Sequence, residues 1–131
     1  MPIDIQWHKQ QPRLMELTFK GQWDNEAFVD ALTTSTQAIL ETPHTVHMIY
    51  NFSESSTPPR DMLAGLHFAN RVLPPNQGVV VYLNANSVIK AFVLMAKRFD
   101  LAVTRYLYHA DSHQEAFKLI KTKAERTQMG R

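Results

Sequence analysis

Five consecutive apolar residues, Val79-Val80-Val81-Tyr82-Leu83, stand between Gly78 and Asn84. The run is too short for a helix, and it does not alternate with polar residues. As a strand it therefore has no face to give to water. Strands buried on both faces are the inner strands of parallel sheets, and those sheets carry helices above and below. This one run commits the chain to an α/β architecture. It predicts an inner strand at Val79–Leu83 between parallel neighbours at Val46–Phe52 and Val103–His109, both rich in β-branched and aromatic residues.

The rest of the pattern is consistent with that frame. Ile3, Ile5 and Trp7 alternate with polar residues, and so do Met15, Leu17 and Phe19, with a short polar connection between the two runs. The pair reads as an antiparallel hairpin. Asp24 is a helix N-cap, with Phe28, Val29, Leu32, Ile39 and Leu40 forming the apolar stripe of a helix that ends before Pro43. Thr45–Phe52 reads as a strand, Ser53–Thr57 as a polar loop, and Met62, Leu63, Leu66, Ala69 and Val72 as the apolar side of a second helix. Thr57 before Pro58 looks like its N-cap and first helical position. Asn84–Ser87 caps a third helix over Val88–Phe99, and Ser112 with Glu115 is a capping box for a fourth.

The expected fold is a mixed sheet of five strands, an N-terminal hairpin followed by parallel β-α units, covered by four helices. Loops at Gly21–Asp24, Ser53–Thr57, Asn84–Ser87 and Ala110–Ser112 then share the carboxyl edge, where α/β proteins usually bind.

With 131 residues, 44% of them hydrophobic, the chain has enough apolar mass for one core. A single domain over residues 1–131 is expected, with a short basic tail from about residue 122. Cysteine is absent, which excludes thiol catalysis and thiolate metal sites. No apolar run reaches the length of a membrane span, and the first residues lack the features of a secretory leader, so a cytoplasmic protein without stable membrane insertion is expected. The net charge of +2 is too small to imply nucleic acid.

A hairpin, a helix, and then a strand leading through a serine-rich loop into an amphipathic helix resembles the STAS superfamily, the sulfate-transporter and anti-sigma-factor-antagonist domains with their looser relatives. The likeness spans nearly the whole chain. The family strand ends in an Asp-Leu pair, matched here by Asn51-Phe52. Regulatory members then carry Asp-Ser-Ser-Gly-Leu, whose first serine is phosphorylated by a partner kinase. The same interval from Asn51 arrives at Pro59-Arg60-Asp61-Met62-Leu63, which keeps only the leucine. The resemblance implies the fold and a role in binding a partner or ligand; the phosphoserine motif is not retained.

Candidate residues follow from both lines of reasoning. Asn51, Ser53, Ser55, Ser56, Thr57, Arg60 and Asp61 form the binding or regulatory set around the second helix. Ser53, Ser55 and Ser56 are the candidate phosphoacceptors, although capping and turn hydrogen bonds account better for such residues and no phosphorylation is expected. In the third helix apolar residues cover more than one stripe; either neighbouring helices overlap the excess, or Phe92 and Met95 belong to a surface for a protein partner, a homodimer contact, or the wall of a pocket for a small apolar ligand or lipid. Lys90, Lys97 and Arg98 would rim it.

The pairs His44/His47 and His109/His113 have spacings that could touch a metal, but no carboxylate joins either at a helical interval. Ser53 or Ser55 with His109 and Asp111 would be the members of a small hydrolase site, yet no Gly-x-Ser-x-Gly elbow is present. The reading is a non-enzymatic binding or regulatory module, with no catalytic residues, metal or cofactor expected.

Overall fold

Alternation over Ile3–Trp7 (β1) and Leu14–Gly21 (β2) produces the expected antiparallel pair, in register from Ile3 opposite Phe19 to Trp7 opposite Met15. The computed structural model describes residues 2–9, 11, 13–56 and 58–129, with side chains as far as Ala124. β3 (Val46–Ser55), β4 (Gln77–Leu83) and β5 (Leu107–Ala110) complete a sheet of order β1-β2-β3-β4-β5, parallel from β2 onward. β4 therefore has a neighbour on each side, and Val79–Leu83 is buried throughout.

Four helices cover the sheet: α1 (Asn25–Leu40), α2 (Met62–Arg71), α3 (Ser87–Arg98) and α4 (His113–Met129). α1, α2 and α3 lie on one face, where Phe28, Leu32, Ile39, Met62, Ala69, Ile89 and Val93 pack on Met15, Leu17, Phe19, Met48 and Val80. α4 covers the other, with Ala116 and Ile120 against Leu14, Ile49, Val79, Val81 and Ala110. This two-sided cover is what the unbroken apolar run of β4 demands.

Local chemistry sets most boundaries. The Asp24 carboxylate accepts from the Ala27 amide at 2.8 Å, and the Asn86 side chain from the Ile89 amide at 3.0 Å, capping α1 and α3. Ser112 Oγ accepts from the Glu115 amide, while the Glu115 carboxylate accepts from the Asp111 amide.

The structure corrects the expected elements in four places. β3 runs on through Ser53-Glu54-Ser55, because Lys20 and Gly21 pair with Glu54 and Ser55 and the Ser56 amide donates to Gly21 O. α2 starts at Met62 after a turn, with Asp61 at its cap position making no side-chain bond; the Thr57 cap lies outside the described residues. β5 starts at Leu107 because Ala102–Thr104 forms a 3-10 turn, held by the Asn70 side chain on the Val103 amide and by Thr104 Oγ on Leu101 O. Helix α4 continues through Met129, past the point where a tail was expected.

Candidate interaction surface at the carboxyl edge and on the third helix

Because β2 to β5 are parallel, their carboxyl ends and the loops into α1, α2, α3 and α4 fall on one edge of the sheet. The sequence-selected residues divide there into supports and surface. Asn51 is buried at the end of β3, and it works as a junction. Its Nδ2 donates to Glu16 Oε2 at 3.0 Å, while its Oδ1 accepts from the Ser53 amide at 2.9 Å and the Ser53 hydroxyl at 2.7 Å.

Glu16 is the residue that sequence reasoning missed. It occupies a polar position of the alternating strand β2, which reads as a solvent-facing site, yet its side chain is only 12% exposed. His8 Nε2 lies 2.9 Å from Oε1, and His113 Nε2 lies 3.0 Å from both carboxylate oxygens. Burial pushes its pKa up, but hydrogen bonds from His113, Asn51 and His8 outweigh that, and the carboxyl is held below its ordinary value. An ionised carboxylate can only accept, so both imidazoles donate. The partners come from before β2, from β3 and from α4; nothing local in the sequence joins them.

The serines are partly occupied. The Trp23 indole donates to Ser55 Oγ at 2.8 Å, and Ser55 in turn donates to Ser56 O at 3.0 Å. Ser53 is exposed but its hydroxyl is spent on Asn51. Ser56, Arg60 and Asp61 are exposed. The imagined hydrolase set does not assemble: both hydroxyls serve other partners, and His109 Nε2 stands 3.7 Å from Asp111 Oδ1, beyond hydrogen-bond length. That imidazole instead leans on Tyr82, ring centroids 5.0 Å apart.

The histidine pairs are also divided. His47 Nδ1 accepts from the Val79 amide at 3.0 Å, which requires an unprotonated Nδ1; burial, with the charge of Arg13 second, lowers its pKa in agreement. His44 bonds Thr45 O, and His113 reaches Glu16 rather than His109. Among the described residues, no group of three metal-ligating side chains surrounds a common point.

The third helix supplies the surface. Ile89, Val93 and Ala96 are buried against the sheet and Phe92 is half-buried at the margin. Val88, Leu94, Met95 and Phe99 are 43, 63, 44 and 58% exposed. With 100° between successive residues, Val88, Met95 and Phe99 form a stripe beside Phe92, and Arg98 separates it from Leu94. Arg98 runs along this stripe and Lys90 lies further round, beyond Leu94, whereas Lys97 is drawn away to donate to Leu107 O at 2.9 Å. Beneath the helix lies an almost wholly apolar cavity of about 30 Å³, lined by Phe52, Met62, Val80, Ile89 and Val93 among others.

No family model and no curated protein matches the sequence. Among solved structures, the anti-sigma factor antagonist SpoIIAA in its unphosphorylated form matches with a TM-score of 0.53 and 15% identity, over 91% of this chain and 97% of that one. The Bacillus cell fate determinant SpoIIAA in its phosphorylated form matches with a TM-score of 0.55 and 13% identity, over 89% and 99%. The fold is STAS-like. At these identities the likeness establishes architecture, and the residues that act must be argued from the surface itself.

Proposed function

We propose that this chain is a non-enzymatic regulatory module that binds a protein partner through α3 and the adjoining carboxyl edge. The observation that carries the reading is the exposed apolar stripe Val88, Met95 and Phe99 on the flank of a helix already seated by Ile89, Val93 and Ala96. Three large apolar residues left exposed in a row beyond the seated face form the kind of patch that marks an interaction site. Arg98 beside the stripe favours a partner whose contact surface is apolar with carboxylates at its rim. Ser53, Ser56, Arg60 and Asp61 extend the contact along the edge, while Asn51, Glu16 and Ser55 hold that edge in shape.

The carrier reading is weaker. A cavity of about 30 Å³ accommodates one or two waters, so an apolar ligand would have to lift α3 from the sheet.

The test compares wild type with the Met95→Glu/Phe99→Glu variant, both immobilised and exposed to a lysate of the encoding organism. A captured protein is then purified and its affinity measured by calorimetry. The reading requires the double substitution to weaken that affinity by at least about tenfold with an unchanged circular-dichroism spectrum. Equal affinity for both forms would remove α3 from the interface and refute it.

A further inference from the structure

The chain's charge is sharply segregated. The helix α1 with its caps, residues 24–41, carries Asp24, Glu26, Asp30 and Glu41 and no Lys or Arg, whereas α3 carries Lys90, Lys97 and Arg98 and no acidic residue. The sheet order turns this into a spatial separation. α1 packs over β1, one edge strand, while α3 follows β4 and leads into β5, the other edge.

At the acidic end, β1 and α1 enclose a groove of about 440 Å³, within the range of roughly 300–1,000 Å³ usual for sites that bury a guest. Its floor is apolar (Ile3, Ile5, Ala27 and Ala31), and its rim carries Asp4, Asp24, Glu26 and Asp30. Asp4 is paired with Lys20 at 2.6 Å, so the free negative charge sits on the α1 side. At the basic end, α3 offers the converse relief: apolar side chains standing out beside Arg98, on a helix whose charged residues are all basic.

From these two surfaces we infer that the partner of α3 is a second copy of this chain, docking head to tail, with Met95 and Phe99 of one copy in the β1–α1 groove of the next. This rests on the proposed binding role of α3 and names its occupant. The two surfaces are different and lie at opposite edges, so the contact is heterologous and leaves a groove and a helix free at the two ends. Rows longer than dimers follow directly. The acidic rim and basic border also steer the encounter, which makes assembly sensitive to salt.

The decisive experiment is sedimentation velocity on the full chain with two complementary variants. Wild type should form species beyond the dimer as concentration rises, and lose them between about 0.05 and 0.5 M NaCl. Glu26→Lys/Asp30→Lys spoils the groove but keeps the helix; Met95→Glu/Phe99→Glu spoils the helix but keeps the groove. Each alone should be monomeric, and an equimolar mixture should form a 1:1 dimer and nothing larger, because one intact groove meets one intact helix. That mixture also shows that both variants are folded, and Met95→Gln/Phe99→Ser serves as a milder helix variant should the charged one unfold. Dimers of the groove variant alone would replace the head-to-tail contact with a symmetric α3 contact and overturn the inference. A wild type that stays monomeric at all concentrations would overturn it too. Phe99-dependent capture of another protein would in that case leave the binding role of α3 standing.

Discussion

Replacing Asn51 by aspartate should damage this protein, and should do so in a way that depends on pH. Asn51 Nδ2 lies 3.0 Å from Glu16 Oε2, with Asn51 only 6% exposed. A second carboxylate there replaces a hydrogen bond by two like charges. At an effective dielectric constant of about 20, unit charges about 3 Å apart repel by roughly 5 kcal/mol. The pair has a cheaper course, which is to take up one proton and share it. Protonating the new aspartate, whose ordinary pKa is near 3.9, costs about 1.4 kcal/mol for each pH unit above that value, or about 4 kcal/mol at pH 7 and about 1–2 at pH 5. The smaller cost wins, so the folded variant carries one more proton than the unfolded chain. Its stability must then fall as pH rises, opposite in sign to the contribution of Glu16 in the wild type, whose depressed pKa adds stability that is lost as pH drops through it. The imidazoles of His8 and His113 face the same carboxylate and donate to it in both proteins. Urea unfolding of wild type and variant at pH 5 and pH 7 measures this directly. The expected deficit is about 3–4 kcal/mol at pH 7, shrinking to about 1–2 at pH 5, and Glu16→Gln in the Asn51→Asp background should recover most of it. A deficit independent of pH, or no deficit at pH 7, would show that these two side chains do not meet as described.

Three further perturbations probe other joints. Gly65 on α2 lies against α1, where an added Cβ would come within 2.5 Å of Asn25 Oδ1 and of the Phe28 ring; Gly65→Ala should lose about 1–3 kcal/mol in chemical denaturation despite its better helix propensity. His47 is held neutral by burial and by the Val79 amide, so its contribution is complete above about pH 6.5 and lost on acidification below it. His47→Asn, which can still accept that bond, should flatten the stability profile between about pH 6.5 and 5, and an unchanged slope would assign the loss to other groups. Ser55→Ala strands the buried Trp23 indole N–H; it should cost about 1–2 kcal/mol and alter the tryptophan emission, with an unchanged spectrum and midpoint counting against that bond.

The architecture was legible because it depends on periodicity, which local sequence carries. The apolar run Val79–Leu83 demanded cover on both faces, and it is an inner strand between β3 and β5. Asp24 and the Ser112–Glu115 pair cap their helices as expected, and within the Asn84–Ser87 stretch the cap is Asn86, since a cap needs only residues within one turn. Boundaries failed where a partner distant in sequence intervened. β3 absorbed Ser53 and Ser55 because β2 offered them a ladder, and β5 started late because Asn70 claimed the Val103 amide.

The candidate site divides along the same line. Asn51 and Met95 were visible as a strand-end polar residue and as surplus apolar cover on a helix. That Asn51 is a buried junction rather than a contact, and that Met95 stands exposed while Phe92 is half withdrawn, depends on what packs beside them. Glu16 shows the limit most clearly. Alternation alone assigns it to solvent, and only the fold brings His8, Asn51 and His113 from 8, 35 and 97 residues away to its carboxylate. A strand's period determines which side a residue faces; what waits on that side is decided by chain crossings that no local pattern encodes.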